Sequence, residues 1–170
     1  MAGKRVELKL ILPILEGAMF GFIQRKNCDE VKRVMNERIN RHYAKQIRVG
    51  NRGTDRVAFC EIVWVIPFNN ATGQREFENA FPTVTRDISP GGLSLIHTMP
   101  IHCDRLLVGL QGDVERIFLD CICRHSAAMG YGFFQLGLEP GERVLPSPIE
   151  MQLLGTVIDR YKKRGEPLVL

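Results

Sequence analysis

Two side chains with hydrogen-bonding chemistry, Asp87 and Ser89, stand two residues apart in Asp87-Ile88-Ser89-Pro90-Gly91-Gly92. The flanking runs Phe81-Pro82-Thr83-Val84-Thr85 and Leu93-Ser94-Leu95-Ile96 have strand composition. In an extended segment, residues two apart share a face, so the carboxylate and the hydroxyl project together. Pro90 and the two glycines call for a sharp turn, with glycine free to adopt positive φ. The product is a pair of acceptors beside backbone with almost no side-chain cover. It suits a ligand that offers hydrogen-bond donors next to an anionic group. Asp, Ser, Pro and Gly are also ordinary turn formers, so the hexapeptide gains meaning only with a partner.

Cations come from upstream. In Glu37-Arg38-Ile39-Asn40-Arg41-His42-Tyr43-Ala44-Lys45-Gln46-Ile47-Arg48-Val49 a charged helical pattern gives way to a β-rich one. Together the two segments resemble the PilZ domains, bacterial receptor modules for cyclic di-GMP. Those domains open on an Arg-x-x-x-Arg loop and continue to an Asp/Asn-x-Ser-x-x-Gly turn. Arg41 falls on the first arginine of the loop. Lys45 falls on the second, as a departure from it. Asp87, Ser89 and Gly92 match the turn residue by residue, with Gly91 inside it. Leu119 to Arg124, a glycine-rich turn and Tyr131 to Glu139 resemble the family's closing hairpin.

The resemblance implies a mainly β fold, a six-stranded antiparallel PilZ-like barrel with an N-terminal and a C-terminal helix. It implies an N-terminal extension over 1–36, the barrel over 37–146, and a helix with its tail over 147–170. It also implies a receptor or effector for cyclic di-GMP that relays the signal to a downstream protein by ordering its loop. Arg41, Lys45, Asp87, Ser89, Gly91 and Gly92 would hold the ligand. The chemistry is coherent. Phosphodiesters take guanidinium forks. The guanine O6 and N7 match an arginine fork, and its N–H edge matches an aspartate. Lysine supplies only a point charge, so Lys45→Arg should tighten binding, and Arg41→Ala should hurt it more than Lys45→Ala. Arg38 and Arg48 are nearby cations, and Arg124 is a further one on a late strand. The alternative is a PilZ-like interaction module that no longer binds nucleotide. A third reading, a single-stranded nucleic-acid binder, would use Tyr131, Phe133 and Phe134 for stacking, although aromatics in a closing strand usually belong to a core.

Composition sets the outer limits. The 170 residues suffice for one domain, and 45% hydrophobic with 25% charged residues is that of an ordinary globule. A net charge of +4 suits an anionic ligand but falls short of a nucleic-acid-binding tail. Five cysteines, an odd number, argue against a disulfide framework. With no secretory pattern, they point to a reducing cytoplasm. Cys121-x-Cys123, His97 and His102-Cys103 lack a usual zinc spacing, so no metal or other cofactor is expected. There is no nucleophile elbow, phosphate-loop lysine or His-Glu-x-x-His, and no enzyme is expected. Leu8 to Ile23 is too short and too interrupted for a membrane span.

The elements that position these residues follow from periodicity. Val6 to Leu12 alternates as a strand. A helix is expected over Glu30–Ile39, with Val31, Val34, Met35 and Ile39 on one side. Val57–Ile66 reads as a single strand ended by Pro67. Further strands are expected near Glu76–Arg86, Leu93–His97, Arg105–Leu110, Glu115–His125 and Gly132–Leu138, with a hairpin at Gln111-Gly112-Asp113. Ser147-Pro148-Ile149-Glu150 combines an N-cap, an N1 proline and an N3 glutamate. Ile149, Leu153, Leu154, Val157, Ile158 and Tyr161 form one stripe on the helix that follows, for burial on the barrel or on a second chain as a homodimer.

Overall fold

The computed structural model describes residues 29–39, 56–112 and 115–164. Arg41, Lys45, Arg48, the segments over 1–28 and Asp113 lie outside them. Seven strands are described: β1 Val57–Ala58, β2 Ile62–Pro67, β3 Phe81–Ser89, β4 Gly92–His97, β5 Arg105–Leu110, β6 Ile117–Gly130 and β7 Phe133–Val144. Every pairing is antiparallel. The order β3-β2-β5-β6-β7-β4 returns to β3 through the β3–β4 hairpin, which closes a six-stranded barrel; β1 adds to the outer part of β3. The expected architecture is therefore present.

Alternation along the strands builds the interior. Val63 and Val65 of β2 point inward, with Ile88, Leu93, Leu95 and Leu136 from the other strands. Helix α1, over 29–39, adds Val31 and Met35 to the same cluster. Its buried Arg38 donates to the Gln111 carbonyl and lies 3.6 Å from Glu61. Arg38 thus ties α1 to the barrel. It is not a free cation for a ligand.

The other face of the same strands carries a second core. Trp64 and Ile66 point outward and meet Leu107, Phe118 and Phe77. Helix α2, Pro148–Arg164, seats Leu154, Val157 and Ile158 on them. Tyr161 meets Trp64 edge to face at 5.5 Å. The N-cap works as the residues demand: Ser147 N–H donates to Glu150 Oε2 at 2.7 Å, and Glu150 N–H to Ser147 Oγ at 3.3 Å. The helix packs on its own barrel, but its stripe is narrower than expected. Ile149 is 71% exposed and Leu153 40%. At about 100° per residue, Ile149 lies well round the helix from Leu154, so one flat contact cannot cover both. No helix among the described residues is long and apolar enough to cross a membrane.

Several strand boundaries differ from expectation, among them that of β6, which runs on past His125 to Gly130. The run Val57–Ile66 breaks at Phe59-Cys60-Glu61, which holds one residue more than β3 can match. The buried Thr85 hydroxyl clamps this bulge. It donates to the Phe59 carbonyl at 2.6 Å and accepts from Glu61 N–H at 2.8 Å. Thr85→Val should lower stability by about 1–3 kcal/mol, because two backbone groups lose their partner. A lower urea midpoint at unchanged slope would show it, whereas an unchanged midpoint would mean the bulge does not depend on the hydroxyl. The segment from Glu76 starts as a 3-10 turn, Phe77–Asn79, and β3 then runs through Ser89. Asp87 and Ser89 are therefore strand residues. Finally, β7 continues past Pro140, because the register shifts at Cys121 and a proline is tolerated at a bulge.

Candidate functional site

Ile88 enters the core from β3, and Leu93 and Leu95 enter from β4. Their neighbours Asp87, Ser89, Gly92 and Ser94 therefore share the opposite, outer face. The register sets Asp87 against Ser94 and Ser89 against Gly92. Pro90-Gly91 makes the turn between the strands. Neither glycine takes positive φ; among the described glycines Gly73, Gly130 and Gly132 do so. Glycine at 92 leaves room for a close approach. A Cβ there would lie 3.2 Å from Arg56 Nη2 and 3.6 Å from Ser89 Oγ. Gly91 faces open space.

Arg56, just before β1, is the residue the sequence reading missed. Its Nη1 donates to Asp87 Oδ1 at 2.6 Å and to Ser94 Oγ at 3.0 Å. A register shift between Thr85 and Asp87 brings Arg86 to the same carboxylate, with Nε 3.8 Å from Asp87 Oδ2. Arg86 also donates to Gln135 Oε1 at 2.6 Å, and Gln135 Nε2 donates to Ser94 Oγ at 3.4 Å. The network thus spans β3, β4, β7 and the approach to β1. Asp87 and Ser94 are buried beneath it although they lie on the outer face. The Ser89 hydroxyl, also buried, turns to the Gly92 carbonyl at 3.4 Å.

A signal for Arg56 stood in the sequence. Arg52-Gly53-Thr54-Asp55-Arg56 has the Arg-x-x-x-Arg spacing with both arginines present. Nothing local marked Arg86 or Gln135, whose role comes from register. Arg124 does not join the site; it is exposed and pairs with Glu139 at 2.6 Å. His125 lies over Gly137, where a Cβ would fall 2.2 Å from its ring. Gly137 in turn pairs with Ser94.

Beyond the network, a cavity of about 400 Å³ opens between the β6–β7 hairpin tip and the β3–β4 pair. Val84, Ile96, Met129, Tyr131 and Phe133 line it, with Cys60 at the bulge. Tyr131, at φ 53°, stands fully exposed at the tip, so it is not a core residue. Phe133 and Phe134 are half-buried. Cys60, Cys103, Cys121 and Cys123 are free thiols, and burial pushes Cys121 far above the usual thiol range. Among the described residues, no three His, Cys, Asp or Glu side chains gather as a metal-holding group.

No protein-family model matches the chain, and no curated protein matches it. Among solved structures it is similar to the inhibitor of motility MotI/DgrA of Bacillus subtilis, at 18% identity and TM-score 0.39, over 71% of this chain and 56% of that one. It is similar to the MrkH–c-di-GMP complex of K. pneumonia, at 11% identity and TM-score 0.39, over 69% and 55%. A third is the PilZ domain of YcgR with c-di-GMP from Escherichia coli, at 11% identity and TM-score 0.35, over 69% and 99%. The chain spans little more than half the length of the first two. At these scores the likeness carries no residue assignments, which rest on the geometry of the Asp87 network.

Proposed function

We propose that the outer face around Asp87 is a receptor site for cyclic di-GMP in a PilZ-like domain. The observation that supports this most is the Arg56–Asp87 ion pair. It joins an Arg-x-x-x-Arg segment to an Asp-x-Ser-x-x-Gly turn, the two halves of the motif. In this reading Arg52 and Arg56 grip phosphate and the guanine O6/N7 edge as bidentate forks. Asp87 accepts from the guanine N–H edge. Ser89 and the bare backbone of Gly91 and Gly92 let the ligand come close. The protein senses the nucleotide without catalysis and relays its presence to a downstream protein through ordering of the arginine segment. The setting is a bacterial cytoplasm. Arg41 and Lys45 remain the alternative placement of the cationic pair.

Single substitutions separate the two placements. With Arg52 and Arg56 as the pair, Arg52→Ala should weaken cyclic di-GMP binding by roughly ten- to hundredfold, and Arg41→Ala and Lys45→Arg should leave it unchanged. The reverse pattern in calorimetry would return the site to Arg41 and Lys45.

One observation favours the non-binding interaction module. Asp87 already has cationic partners in Arg56 and Arg86. A chain whose motif had become structural would also look like this. The two readings part on whether the ligand can displace Arg56.

A further inference from the structure

The Asp87 carboxylate is covered by the site's own arginine. The Asp87 side chain is 5% exposed, beneath an Arg56 side chain that keeps 24% of its surface. Arg56 Nη1 uses Asp87 Oδ1 and the fully buried Ser94 Oγ together. Its Nη2 sits over Gly92, in the space that the missing side chain leaves. A ligand that needs the Asp87 carboxylate has no path to it while Arg56 stays in place.

We propose that Arg56 is a latch on this site: it holds Asp87 shut in the free protein and is exchanged for ligand on binding. The inference rests on the receptor reading and adds its regulation. Arg56 immediately precedes β1, and β1 is a two-residue strand that pairs with β3 at Asp87 and Ile88. The same ion pair therefore pins the end of the arginine segment. Release of Arg56 from Asp87 frees both the acceptor and the segment. A ligand can drive this only by the difference in its affinity for the open and shut states. The latch thus lowers the apparent affinity by the fraction of molecules that are open.

Ser94 allows a test, because it tethers Arg56 while itself lying fully buried. Ser94→Ala removes one tether and leaves Asp87 and both arginines. Ser94→Cys, which offers only a weak acceptor, is the second variant should alanine compromise folding. Two readouts are needed. Hydrogen–deuterium exchange of the free protein at Val57-Ala58 reads the latch without ligand. Calorimetry with cyclic di-GMP reads the exchange of latch for ligand. Loss of one net hydrogen bond should make exchange at β1 about two- to tenfold faster, and binding about two- to tenfold tighter. A structural role alone would speed exchange and leave affinity equal or weaker, which would overturn the proposal. Unchanged exchange would overturn it whatever the ligand does. If neither protein takes up cyclic di-GMP, the receptor reading fails by itself. Accelerated exchange would then show only that Arg56 tethers β1, and unchanged exchange would remove even that role; either result overturns the exchange of latch for ligand.

Discussion

Leu154→Lys is expected to lower the melting temperature by roughly 10 °C at every protein concentration. Leu154 is fully buried against the outward-facing core of the barrel, with Val157 and Ile158 beside it. Removal of the leucine loses burial and leaves a cavity, and the ammonium group must be forced into apolar surroundings or drag the helix off. A cost of about 3–5 kcal/mol is the usual scale of such a change. In a chain of this size each kcal/mol moves the midpoint by about 2–4 °C. Differential scanning calorimetry over a range of concentrations reads the effect. Conversion of a dimer to a folded monomer in ultracentrifugation, with little loss of stability, would instead make α2 an oligomerisation element. Ile149→Lys offers a contrast, because that side chain is largely in water and should cost little.

Asp87→Ala should weaken cyclic di-GMP binding by roughly ten- to hundredfold, the scale of one lost base-edge recognition. The substitution also releases Arg56, so part of the loss is offset by the opened site. Asp87→Asn, which keeps an acceptor carbonyl and loses the charge, should fall between alanine and the wild type. Calorimetry on the three proteins gives the order. Equal affinities would mean that Asp87 only braces the arginines, and the turn would then be structural.

The sequence disclosed what rests on local rules. The capping box at Ser147 and Glu150 set the start of α2, and the helical spacing of Val31, Val34 and Met35 set the buried side of α1. Strand alternation put Asp87 and Ser89 on one face, away from Ile88, as the structure has them. What was missed depends on contacts distant in sequence. The break between β1 and β2 is made by Thr85, more than twenty residues away, through a hydroxyl that looks like any strand threonine. Arg86 reaches Asp87 only because the β3–β4 register shifts there. Turn chemistry suggests a conformational role for Gly91 and Gly92, yet neither has positive φ, and at Gly92 the absent side chain leaves room for Arg56. Arg56 itself was legible by spacing. Arg41 and Lys45 sit at a more conspicuous feature, the change from helical to β pattern. The α2 stripe is narrower than its sequence suggests for a simpler reason: six apolar residues on a helix do not all fit one contact face.

The central claim is that the Asp87 face receives cyclic di-GMP, and titration calorimetry of the intact chain with that nucleotide tests it most directly. Saturable heat is expected, with a Kd of about micromolar strength weakened by the work of displacing Arg56. No heat at ligand concentrations of about a millimolar would contradict it and leave the barrel as an interaction module.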